Sequence, residues 1–162
     1  MAICLEAAEH IHPQNSQSLV LALSSLADVI LFSSATVGQS GIGHINEHFP
    51  SYWASLFATK HFYPFDLFRD SVWSNDTVKP WYKQNAYLYV HRGSTLFSML
   101  ITCGNKPIVS TSFMDVYHPQ LFLDRSTFTG FLKYKLHCLC PDQVVSFLYS
   151  IYKCTRSLRG SA

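Results

Sequence analysis

The sequence predicts an α/β fold, and three observations carry that prediction. Val29, Ile30, Leu31 and Phe32 are apolar on both faces of a strand, as expected of a parallel strand held between helix layers. Ahead of them, residues 18–26 set Leu19, Leu23 and Leu26 at helical spacing, and residues 1–5 form a short apolar segment. The chain thus opens as strand, helix, strand, a unit with a right-handed crossover. Behind the second strand, Gly38, Gly41 and Gly43 punctuate a polar stretch that ends in Pro50, Tyr52 and Trp53 at the start of a helix. Strand, glycine turn, polar cluster, helix is the layout of a ligand edge in an α/β sheet. The plainer reading of residues 38–53 is a connecting loop with a few solvated histidines.

The remaining elements follow in order. Residues 12–18 are polar around Pro13, a helix-start or loop signal. Residues 51–60 read as a helix with Trp53, Leu56 and Phe57 on one side. Residues 63–68 and 85–91 read as strands, adjacent and antiparallel, closing an otherwise parallel sheet. Between them residues 70–80 are a polar excursion. A short helix over residues 96–101, a loop through Pro107 and a helix over residues 142–152 complete the chain.

With 162 residues the chain is expected to form a single compact domain, and 15% aromatic against 14% charged residues argues for a packed core over disorder. The net charge of +2 is spread thinly, with Lys153, Arg156 and Arg159 as a sparse basic tail, so no nucleic-acid partner and no membrane partner is expected. Five cysteines, Cys4, Cys103, Cys138, Cys140 and Cys154, fit reduced thiols and a cytoplasmic setting better than a disulfide framework. No basic-then-apolar leader is visible, and the apolar run over residues 19–32 is too short to span a bilayer. His137-Cys138-Leu139-Cys140 lacks a second ligand pair at finger spacing. Gly38-Gln39-Ser40-Gly41-Ile42 puts isoleucine where a serine-hydrolase elbow needs glycine. Cys103 before Gly104 is a weak signal for a cysteine nucleophile.

Several motifs together point to a family. The run Ile3-Cys4-Leu5-Glu6-Ala7-Ala8-Glu9-His10-Ile11, followed by Asp28-Val29-Ile30-Leu31-Phe32-Ser33, resembles the fourth strand, its helix and the fifth strand of class I S-adenosylmethionine-dependent methyltransferases. Gly43-His44-Ile45-Asn46-Glu47 with Pro50, Tyr52 and Trp53, then Trp73, Trp81-Tyr82, Gln84-Asn85 and Val116-Tyr117-His118-Pro119, is similar to a bacterial branch of that superfamily. The resemblance spans about the first 120 residues. It implies the C-terminal half of a Rossmann-like sheet, strands 4 to 7, over residues 1–92, with residues 93–162 a small extension packed on the same domain. The family's glycine-rich cofactor loop and ribose-binding acidic residue precede such a half. An exposed apolar sheet edge beside residues 1–5 is therefore expected, with self-association or a partner chain carrying the other strands as its consequence.

What the resemblance implies for chemistry can be stated residue by residue. S-adenosylmethionine is the implied cofactor, approached by Leu5, Glu6, Ala7 and His10, with His44 and Glu47 as catalytic candidates and Asn46, Gln84 and Asn85 on the acceptor side. The acceptor is a small molecule or a glycan, methylated on oxygen or nitrogen. Glu6, Glu9 and His10 can face one direction once the chain turns helical, and two carboxylates with an imidazole suit Mg2+ or another divalent cation. The same Glu-x-x-Glu-His pattern holds a metal in ubiquinone-pathway O-methyltransferases and small-RNA 2′-O-methyltransferases, where a later histidine completes the set. His44 is the match, with His48 in reserve. The bland alternatives are that Glu9 and His10 cap a helix start, that Glu6 lines the pocket without metal, and that Trp53 is core. The functional alternative is a non-catalytic half that acts as an interaction module or completes a partner chain.

Overall fold

The computed structural model describes residues 1–124. Four strands, β1 (Ala2–Leu5), β2 (Val29–Ser33), β3 (Phe62–Phe65) and β4 (Tyr87–His91), form one sheet in the order β1-β2-β4-β3. β1 and β2 run parallel, with Ala2 opposite Ile30 and Leu5 opposite Ser33. β4 runs antiparallel to both β2 and β3, so it returns between them and leaves β3 at the edge. The helices are α1 (Ser16–Leu26), α2 (Pro50–Ala58), α3 (Arg69–Val72), α4 (Pro80–Asn85), α5 (Thr95–Thr102) and α6 (Pro119–Asp124), with 3-10 turns at Ala8–His10, Pro13–Asn15 and Thr111–Met114. The architecture is mixed α/β. Among the described residues, no helix is long and apolar enough to cross a membrane. The sequence-predicted helix over residues 142–152, the basic tail and Cys138, Cys140 and Cys154 lie outside the described residues.

The core sits on one face of the sheet. Ile30 and Phe32 of β2, with Tyr87 and Tyr89 of β4, pack against Val20 and Leu23 of α1 and Trp53, Ala54 and Phe57 of α2. Aromatic rings carry much of this layer: Phe57 stacks on Tyr89 at 4.2 Å, and Phe32 meets Phe57 edge-on at 5.2 Å. The opposite face is less covered. Val29 and Leu31 are only partly buried, and Ile3 is 61% exposed on β1. The expectation that β2 is buried on both faces between helix layers is therefore corrected, since one of its faces is only partly covered. Four consecutive apolar residues cannot reveal by themselves that one helix layer is thick and the other thin.

Two element boundaries also differ. β3 ends at Phe65, since Asp66 turns out to accept from the Arg69 guanidinium at the head of α3. Residue 85 closes α4 instead of opening β4, because Pro80 fixes the first turn of a helix that runs until Asn85. Helix α2 also begins with proline, at Pro50. Its free amide at Ser51 donates to the Asp115 carboxylate at 2.9 Å, and the Ser51 hydroxyl donates to the same group at 2.6 Å. Asp115 thus caps α2 from 64 residues away, placing a negative charge where exposed helix amides want one.

Candidate functional site

The C-terminal ends of the parallel pair gather most of the sequence-predicted residues. Leu5 ends β1, and Glu6 follows in a left-handed conformation, φ 50°, with its N–H donating to the Ser33 carbonyl at 3.1 Å. The chain then makes a single 3-10 turn, Ala8–His10, where the sequence suggested a longer helix. That tight turn sends consecutive side chains apart: Glu9 is buried at 1% exposure, while His10 faces solvent.

The loop over residues 34–49 closes over this turn. The Glu9 carbonyl accepts the Ile45 N–H at 2.9 Å and the Asn46 N–H at 3.1 Å. The Asn46 amide donates to the Ala8 carbonyl and to Ser16 Oγ. Asn46 therefore staples the loop to the end of β1, and its side chain is buried. Glu47 is buried as well and accepts from Gly38 N–H at 2.8 Å and Ser40 N–H at 2.9 Å. Its Oε1 also lies 3.0 Å from His44 Nδ1. A carboxylate only accepts, so His44 Nδ1 is the donor of this bond and Nε2 is the ring nitrogen left for another partner.

His44 Nε2 lies 4.0 Å from Glu9 Oε1, an oxygen that is buried and has no hydrogen-bond partner, while Glu9 Oε2 accepts from Ser34 Oγ at 3.2 Å. His10 meets His44 edge-on, ring centroids 5.0 Å apart. One donor atom each from Glu9, His10 and His44 lie within 4.8 Å of one another. One carboxylate oxygen and two imidazole nitrogens form a donor set suited to a divalent cation, and the orphaned Glu9 oxygen fits the same assignment. Were a cation held there, Glu47 would be the outer partner that orients the His44 ring. His48, the reserve candidate, stands apart from this group and stacks on Tyr52 at 3.7 Å.

Glu6 stands outside the three-donor group. Its Oε2 accepts from the Gln39 amide at 2.8 Å, and its Oε1 is buried without a partner. Gln39 Oε1 accepts in turn from Asn85 at 2.7 Å, Asn85 Oδ1 accepts from Gln84 at 3.0 Å, and Gln84 Oε1 accepts from the His118 N–H at 2.6 Å. Gln84 and Asn85 are thus links in an amide chain that orients Glu6. Gln39 joins that chain, a role no local pattern around it announces. Leu5 and Ala7 flank Glu6 at the strand end, with Ala7 exposed. Trp53 belongs to the core at 1% exposure, 5.2 Å from Phe32.

Burial, then the nearby Glu9 carboxylate, pushes the Glu6 pKa above the ordinary range, against hydrogen bonds that pull it down. A carboxyl whose pKa is raised on folding holds its proton more tightly in the folded chain. It therefore stabilises the fold at acid pH, and that contribution is lost as pH rises from the unfolded glutamate pKa through the raised folded one. Glu6→Gln should accordingly stabilise the protein at neutral pH by about 1 kcal/mol, a gain typical of relieving a site kept for function. The gain should vanish in acid, and urea midpoints measured across pH check it.

Gly41 and Gly43 hold the imidazoles in place by being small. A Cβ on Gly41 would run into the His44 ring, and Gly43 has φ 78° with the His10 ring beside it. Gly41 itself has no positive φ, so Gly41→Ala leaves the backbone unstrained and displaces His44 alone. The expected outcome is an intact fold by circular dichroism with cation affinity reduced at least about tenfold, the effect of losing ligand orientation.

Comparison with protein-family models, with curated proteins and with solved structures found no match.

Proposed function

We propose that the full-length protein is a class I S-adenosylmethionine-dependent methyltransferase acting on an oxygen or nitrogen of a small or glycan-linked acceptor. The observation that carries the proposal is the convergence of Glu9, His10 and His44 where two parallel neighbours end, next to the buried, half-satisfied Glu6. Ligands of open α/β sheets bind outside the carboxyl ends of their strands, which is where these residues lie. An antiparallel return beside two parallel strands is also the sheet ending that the sequence resemblance implies.

Within this reading the chain's own residues divide the work. Glu6, locked by Gln39, offers its free Oε1 to a hydrogen-bond donor of the bound cofactor. S-adenosylmethionine supplies an electrophilic methyl group when bound. Glu9, His10 and His44 would hold a divalent cation, whose chemistry there is to lower the pKa of an acceptor hydroxyl. Glu47 keeps the His44 proton on Nδ1, and the stapled loop fixes the acceptor's approach, so that positioning accounts for much of the rate. Free thiols at Cys4 and Cys103 suit a cytoplasmic setting. Calorimetric titration of the full-length protein with S-adenosylmethionine should show one saturable site, weakened in Glu6→Ala. Absence of binding overturns the proposal.

One observation favours a second reading, the half-domain that completes a partner. β1 forms an edge of the sheet, with Met1 75% and Ile3 61% exposed. An uncovered, uncharged edge strand is a template for pairing with another chain. Light scattering that finds a dimer, dispersed by Ile3→Lys, supports this reading, and a monomer at all concentrations removes it.

A further inference from the structure

A cavity of about 420 Å³ opens beside the stapled loop, walled by Val37 after β2, by His48 and Phe49, and by Ser51, Tyr52 and Ser55 of α2. Its volume is that of a small-molecule site. The lining contains aromatic faces and hydroxyl groups, and among the described residues it contains no carboxylate, ammonium or guanidinium. The nearby Asp115 carboxylate is engaged by the Ser51 N–H and hydroxyl.

Four lining residues, Ser51, Tyr52, Ser55 and Thr111, carry hydroxyls. Ser51 donates to Asp115 at 2.6 Å and Ser55 to the Tyr52 carbonyl at 2.6 Å, so these two oxygens can only accept from a ligand. The Tyr52 and Thr111 hydroxyls can both donate and accept, and a ligand bearing several O–H groups matches such a set. Tyr52 is held in place by the His48 ring stacked on it at 3.7 Å and 18°, a rigid aromatic wall. The mouth is braced by Tyr117, whose hydroxyl donates to the Val37 carbonyl and whose ring meets Phe49. Neutral O–H donors on one edge and C–H groups on a face are combined in a sugar ring.

We infer that this cavity binds a neutral sugar and is the acceptor pocket of the methyl transfer, an inference that in its second half rests on the function proposed above. Along the chain the cavity follows the site directly, since Glu47, which bonds to His44, precedes the lining residues His48 and Phe49. Sugar hydroxyls are oxygen acceptors for methyl groups.

Saturation-transfer difference NMR on the full-length protein with glucose, galactose, mannose and N-acetylglucosamine tests the inference, without methyl donor or cation. At least one of these sugars should receive saturation on its ring protons. Affinity should fall about fivefold in Ser55→Ala, the worth of one hydrogen bond, and further in Tyr52→Leu. Ser55 is exposed on α2, so its variant tests the pocket without threatening the fold. No transfer to any of the four sugars, unchanged transfer in both variants, or equal transfer to phenyl phosphate or hexanediol overturns the inference. Failure of the methyltransferase reading is separate, because it appears as absent S-adenosylmethionine binding while this experiment uses no cofactor.

Discussion

Glu9→Ala and His44→Ala should each abolish saturable Mn2+ binding, followed by the loss of the free-ion paramagnetic signal during titration. His44 Nε2 and Glu9 Oε1 lie 4.0 Å apart, and a donor atom of His10 completes a group of three within 4.8 Å of one another. Three such atoms can share a cation, and removing one leaves too few donors to hold it. Glu47→Gln should keep the site but weaken it by about 10–100-fold, the cost of disturbing the group that orients a ligand histidine. Retained stoichiometric binding in both alanine variants would return Glu9 to the role of a buried carboxylate bonded to Ser34.

Trp53→Ala should destabilise the fold by about 3–5 kcal/mol, read from urea midpoints at constant slope. Trp53 is 1% exposed and lies against Phe32 and Tyr52, so truncation opens a cavity beneath the sheet. Trp53→Phe should cost much less. The indole Nε1 is buried with no hydrogen-bond partner, so the smaller ring sacrifices packing and no polar contact. A Trp53→Ala variant of near-native stability would contradict the core role of this side chain.

The legible and illegible parts of this molecule separate along a physical line. β1, α1 and β2 could be read because apolar period is a local property, and their parallel pairing followed from the intervening helix. The gathering of Glu9, His10 and His44 was visible as a spacing plus a glycine turn. Its geometry was not. The reading placed Glu6, Glu9 and His10 on one helical face, whereas the positive φ of Glu6 and a 3-10 turn bury Glu9, expose His10 and turn Glu6 toward Gln39. Backbone conformation at one residue decided that outcome.

Long-range polar partners were beyond reach for a different reason. Nothing near Ser51 announces that Asp115 will cap its helix, and nothing near Gln39 announces Asn85. The motifs that put Gln84 and Asn85 on the acceptor side do not show that they also link to Glu6 through Gln39, a chain that only the folded sheet edge brings together. Nor do they show that Glu47 accepts from two backbone N–H groups of its own loop as well as from His44.

The central claim is that residues at the ends of β1 and β2 carry a cation-assisted methyl transfer. The most direct measurement is transfer of tritium from methyl-labelled S-adenosylmethionine by the full-length protein to a neutral sugar, with and without a chelator. The account predicts labelled sugar that disappears on chelation, returns with added Mg2+ or Mn2+, and is not formed by His44→Ala although that variant still binds the cofactor. Labelled product formed equally well in the chelator and by His44→Ala, or no labelled product under any condition, would contradict it.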